Sequence, residues 1–173
     1  MGTVRRFLVR LGESGVASIE FGLIGSAYVM MILGALEVGY MVFLQGVLDN
    51  AARDAARQLR TGQVQVTNNP GTTFSTLLCN GVSWLIPCAS LRYQSEAFWQ
   101  WSEAQTGLNT PLTRDASGNL TSTGFDGGSP GEIVVVTVTY NYSFFTPWMA
   151  QLLGGRYGSA LLTSTVVFQN EPY

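Results

Sequence analysis

The sequence contains no histidine and no lysine. Without imidazole, the commonest general base and the commonest metal ligand are both missing. All nine basic residues are arginine, a feature for which we have no physical account. Charge of either sign is scarce, at 12% of 173 residues, about half the share in an ordinary soluble domain. Such scarcity suits a chain that lies partly in lipid or packed in a polymer. The net charge of −2 offers no general attraction to nucleic acid, so no nucleic-acid partner is expected. There is no glycine-rich phosphate loop, and no nucleophile has a histidine to activate it. The carboxylates Glu96, Glu103, Asp115, Asp126, Glu132 and Glu171 are scattered, with no spacing that marks an acid–base pair or a metal site. The sequence therefore assigns no catalytic residue, metal or cofactor.

What the sequence does have is a long apolar run, Ile19 to Leu48. Arg5, Arg6 and Arg10 precede it and only Glu13 opposes them. Positive flanks stay cytoplasmic, so the N-terminus should face inward and residues beyond about 50 outward. A twin-arginine or secretory signal fits poorly, because the apolar core is about 30 residues rather than roughly 7–15. Phe21 to Leu36 holds no charge, Glu37 interrupts, and Val38 to Leu48 is again uncharged. Thirty helical residues reach roughly 45 Å, more than the roughly 30 Å of bilayer hydrocarbon. Gly22 with Ser26, and Ala35 with Gly39, follow the small-xxx-small spacing of close helix contacts, or simply reflect membrane-helix composition. Glu37 reads as an acid near the outer membrane interface, or as a contact to a neighbouring subunit.

Leu48, Ala51, Ala52, Ala55, Ala56 and Leu59 then repeat as one face of an amphipathic helix. Arg53, Arg57 and Arg60 lie off that face, as a solvated row with Asp49 and Asp54 at pairing distance along the helix. Gly62 supplies a stop. One helix is expected from about Ser18 to about Arg60.

The remainder has another texture. Gln63 to Gly131 is rich in Gly, Ser, Thr and Asn, with short apolar clusters at Phe74–Leu78 and Val82–Ile86, and Asn109 to Gly131 is the most loop-like part. Ile133 to Tyr142 is β-branched and aromatic and predicts a strand; Leu161 to Gln169 predicts a second and Leu91 to Gln94 a short third. Phe144 to Gly155 reads as a connection with about one helical turn. The expected fold class is α+β: a long N-terminal transmembrane and amphipathic helix followed by a small antiparallel β-containing head. Cys79 and Cys88 fall in the part expected outside the cytoplasm, where disulfides persist. A bridge there would stabilise by about 2–3 kcal/mol on loop-entropy arguments; the metal alternative lacks ligands. Trp84 is expected to pack over the bridge rather than to serve as a binding platform, and Phe98, Trp99 and Trp101 to be buried in the core rather than to form an aromatic contact surface.

The N-terminal pattern carries a resemblance. Gly15-Val16-Ala17-Ser18-Ile19-Glu20-Phe21 is similar to the Gly-x-x-x-x-Glu-Phe processing site of type IV prepilins. With Leu36-Glu37-Val38-Gly39 and Asn50-Ala51-Ala52-Arg53-Asp54-Ala55-Ala56-Arg57, the first third of the chain resembles the TadE-like minor pilins of the tight-adherence (Flp, type IVc) pilus system. The resemblance implies a leader over 1–15, cut between Gly15 and Val16 by a membrane-embedded prepilin peptidase. It implies a membrane-spanning and amphipathic helix over 16–60 and an extracytoplasmic α+β head over 61–173. Glu20, next to Phe21, would become the fifth mature residue and serve assembly. A carboxylate in lipid is costly, and cleavage creates a cation for it, the Val16 amine of this or a neighbouring subunit. The implied partners are the peptidase, other pilins, the pilus assembly platform and the membrane. The implied location is the inner membrane, single pass, with the head periplasmic or carried into an extracellular pilus. Major pilins of that system are very short, so the long head implies a minor subunit. The alternative is an uncleaved single-pass membrane protein with a partner-binding periplasmic domain.

Overall fold

The computed structural model describes residues 2–109, 111–122 and 124–172, with side chains described from residue 15 onward. Two compact units divide the chain, residues 1–39 and 40–173. Helix α1 runs over Gly2–Arg60. It therefore begins well before the expected Ser18. No proline precedes Gly15, and one glycine costs a helix only about 1 kcal/mol, too little to stop it. The other end falls where expected. Gly62 adopts φ 77°, its N–H donates to Leu59 O at 3.1 Å, and the Gln63 N–H donates to Gln58 O at 3.1 Å. This is the double closure of a glycine-terminated helix, which satisfies carbonyls the last turn leaves open.

The second unit is built on a three-stranded antiparallel sheet in the order β1-β2-β3. β1 is Leu91–Phe98, β2 is Ile133–Ser143 and β3 is Ser159–Gln169. The central β2 needs both neighbours, and its residues Ile133 to Thr139 are all buried. One sheet face carries Val134, Val136, Val138 and Leu162 into a core with Leu44, Leu48, Ala51, Ala52, Ala55 and Leu59 of α1. The amphipathic stripe expected on α1 is thus the face that meets the core. β1 extends to Phe98, past the expected end at Gln94, because each of its residues through Phe98 has a partner on β2.

Two helices were not expected. α2, Pro70–Val82, joins the same core through Phe74, Leu78 and Val82. These sit at i, i+4 and i+8, a helical spacing hidden among Gly, Ser, Thr and Asn. Gly81 lets α2 approach α1 closely: a Cβ there would stand 2.7 Å from the Cβ of Ala51. α3, Trp101–Asn109, covers the other sheet face, where Ala104 packs with Ile133 and Val135. α4, Pro147–Leu153, occupies the connection between β2 and β3 and is about two turns rather than one.

Candidate functional site

Gly15, Val16, Glu20 and Phe21 all lie on α1, in the first unit. Val16 and Glu20 are four residues apart and so share one helix face, one turn from each other. In the uncut chain the Val16 nitrogen is a neutral amide; a break before it would leave an ammonium group one turn from the Glu20 carboxyl. A Cβ built on Gly15 meets nothing within 4 Å outside the helix's own nearby backbone. Val16 is 56% exposed and Phe21 80%.

From Phe21 to Leu36 the helix is uncharged, and its large apolar side chains point outward on every side, among them Leu23, Ile24, Tyr28, Met31 and Leu36. A helix that is apolar all round needs an apolar surrounding. The Ser26 hydroxyl in this stretch is locally satisfied: its Oγ donates to Leu23 O at 3.0 Å. Among the described residues, α1 is the one helix long and apolar enough to cross a membrane, by length and composition. Glu37 is 4% exposed, so it is buried and does not stand in water as an interfacial acid would.

In the second unit, Cys79 and Cys88 form a disulfide with Cα atoms 5.3 Å apart, joining α2 to the turn before β1. Trp84 does not pack over the bridge. It is 67% exposed and meets Phe43 of α1 edge-on, with ring centroids 6.1 Å apart. Trp99 and Trp101 are likewise exposed, not core; of the three expected core aromatics, Phe98 alone packs inward. Arg53, Arg57 and Arg60 are exposed, the solvated row expected; Arg60 also pairs with Glu171 at 2.8 Å, and Asp49 accepts from Gln45 Nε2 at 3.0 Å.

One grouping had no signal in the sequence. The guanidinium carbons of Arg114 and Arg156 lie 5.4 and 5.9 Å from the centroid of the Tyr157 ring. They line a cleft of about 400 Å³ with Asp115 and Ala116. Asp115 is turned into its own loop, where Oδ1 accepts the N–H groups of Ser117 and Asn119 at 2.9 Å each. The Asn119 amide, first among these contacts, holds the Asp115 carboxyl below the usual range against the opposing effect of desolvation. Residues 42 positions apart in the chain announce no such meeting. Among the described residues no group of three or more His, Cys, Asp or Glu is placed to hold a metal.

An outward-facing apolar helix joined to a small α+β unit fits a single-pass membrane protein. Residues 15–57 match the family model described as TadE-like protein, consistent with a TadE-like protein of the tight-adherence pilus system. The match begins at Gly15 and ends within α1, leaving the sheet outside it. No curated protein and no solved structure matches the chain.

Proposed function

We propose that this chain is a minor pilin of a tight-adherence pilus, made as a prepilin and cut between Gly15 and Val16. The observation that carries the reading is the family match starting at Gly15, on a helix whose next charge is Glu20 and whose following turns are uncharged. A prepilin peptidase would reach the Gly15–Val16 bond from the cytoplasmic side, where glycine offers no side chain to obstruct it. The released Val16 amine would then compensate Glu20, on the same subunit or on the next in the polymer. The α+β head would lie outside the cytoplasmic membrane, and the protein would act in pilus assembly and surface adhesion alongside other pilins and the assembly platform. Its role is structural, not catalytic. Intact-mass analysis of the protein from cells carrying the peptidase should give a chain beginning at Val16. A chain beginning at Met1 in those cells overturns the reading. It would select the alternative, an uncleaved single-pass protein whose head binds a partner, for which the Arg114–Arg156–Tyr157 cleft is the favouring observation.

A further inference from the structure

The second unit exposes aromatic side chains where it begins, partway along α1. Phe145 is 72% exposed, and Val42, Phe43 and Trp84 are exposed with it. They form two adjoining contacts on one short stretch of helix. Tyr40 meets Phe145 with ring centroids 5.7 Å apart, and Phe43, one turn on, meets Trp84. Three separate segments of the chain supply these rings, and all are free of charge. Val38 to Leu48 has none; neither do residues 61–91, which include Trp84, nor residues 133–155, which include Phe145. The charges of the second unit beyond α1 fall elsewhere, within Arg92–Glu132 and at Arg156 and Glu171. The nearest charge along α1 is Glu37, one turn before Tyr40, and it is buried rather than displayed on this surface. An exposed aromatic surface of this kind marks a contact with a neighbour other than bulk water.

The position of this surface along α1 identifies that neighbour. About 20 helical residues cross the hydrocarbon of a bilayer. Counted from Glu20, they end at Tyr40. Phe43 lies one turn beyond, at the depth of the lipid headgroups, and Trp84 and Phe145 are held against these two rings. Tyr and Trp concentrate at that depth because an apolar ring with a polar edge suits the boundary better than either side of it. We propose that the surface formed by Tyr40, Phe43, Trp84 and Phe145 seats the second unit on the outer leaflet of the bilayer. The occupant is the lipid interface. The inference rests on the reading of residues 20–39 as spanning the membrane.

Depth-dependent fluorescence quenching tests it in the full chain, reconstituted in phosphatidylcholine vesicles with brominated acyl chains. The chain has four tryptophans, at 84, 99, 101 and 148. A form keeping Trp84 alone, with Phe at the other three, should show blue-shifted emission. It should be quenched most by bromines near the ester groups and protected from aqueous iodide. A form keeping Trp99 alone serves as reference, since Trp99 is equally exposed but lies in the charged segment; it should be quenched by iodide and not by bromolipid. Trp84 quenched no more by bromolipid than Trp99 overturns the proposal, including the case in which another protein subunit covers this surface. A third form, Leu33→Trp in a background without other tryptophans, reports the membrane span itself. If it too escapes bromolipid, the spanning reading falls and takes this proposal with it; if it alone is quenched, only the seating of the second unit falls. Should the triple Phe replacement perturb folding, 5-fluorotryptophan in the unaltered chain with nitroxide lipid gives the same comparison, through selective broadening of the Trp84 resonance.

Discussion

In the proposed function, the assembly role turns on Glu20. Under the prepilin reading, replacing it with alanine removes a carboxylate whose cost in lipid is repaid only by the new amine. Glu20→Ala should therefore insert into the membrane normally yet fail to enter filaments. Fractionation followed by counting of surface filaments checks this, and normal piliation would remove the pairing role. Phe74 illustrates a different kind of residue, one whose importance is packing alone. It is fully buried, with the rings of Tyr93 and Phe125 at 5.5 and 5.3 Å. Phe74→Ala should cost about 3–5 kcal/mol, since the cavity is walled by two other aromatics that cannot both move in. Denaturant unfolding of the variant measures it. Asp115 shows the effect of pH at a single loop. Its carboxyl titrates lower in the folded protein than in the unfolded chain. Its hold on residues 117–119 is thus complete above the ordinary carboxyl range and lost as pH falls through the folded value. Amide exchange at Ser117 and Asn119, corrected for its intrinsic rate, should accelerate on acidification past that point, and Asp115→Ala should abolish the transition.

Among the elements, α1 was the most legible in sequence and α2 the least. The stripe of leucine and alanine from Leu48 to Leu59 repeats over three turns, long enough for its period to stand out from composition. The apolar face of α2 is three residues in thirteen, and its Thr, Ser, Asn and Gly neighbours resemble a loop. What makes α2 a helix is the surface it meets: Gly81 against Ala51 on one side and the sheet on the other. The disulfide from Cys79 to Cys88 then fixes the end of α2 to the start of β1. Replacing both cysteines by serine should lower stability by about 2–3 kcal/mol by the loop-entropy argument. Thermal unfolding followed by circular dichroism, with and without reductant, would show this; no difference between the two conditions would mean that the bridge contributes nothing. β1 shows the same dependence on partners. Beyond Gln94 its sequence turns to Ser, Glu and Ala, poor strand formers, and pairing with Val134 to Val136 carries it on.

At the scale of the whole molecule, the apolar run and the folded core overlap only in the run's last turns, where Leu44 and Leu48 enter the core. Every buried residue of the main core lies between Leu44 and Leu162, within the second unit. Residues 40–173 should therefore fold without the first 39, melt cooperatively and retain the disulfide; near-ultraviolet circular dichroism and thiol titration of that fragment check the expectation. The chain's end is secured within the same unit. The Glu171 N–H donates to Arg60 O at 3.0 Å, and its carboxylate meets the Arg60 guanidinium. Removing residues beyond Asn170 should fray the last turn of α1 and leave the sheet intact. The sequence by itself determined where the apolar run lies, where α1 ends, which face of its second half is buried, and that β2 and β3 are strands. Those features follow from charge depletion and from repeats of 3.6 and 2 residues, which neighbours along the chain establish without outside help. Tertiary structure alone decided that Trp84, Trp99 and Trp101 face outward, that α2 and α3 are helices, and that Arg114 and Arg156 meet at Tyr157. Each of these depends on which surface comes opposite, and pairings between distant parts of the chain leave no periodic trace in it.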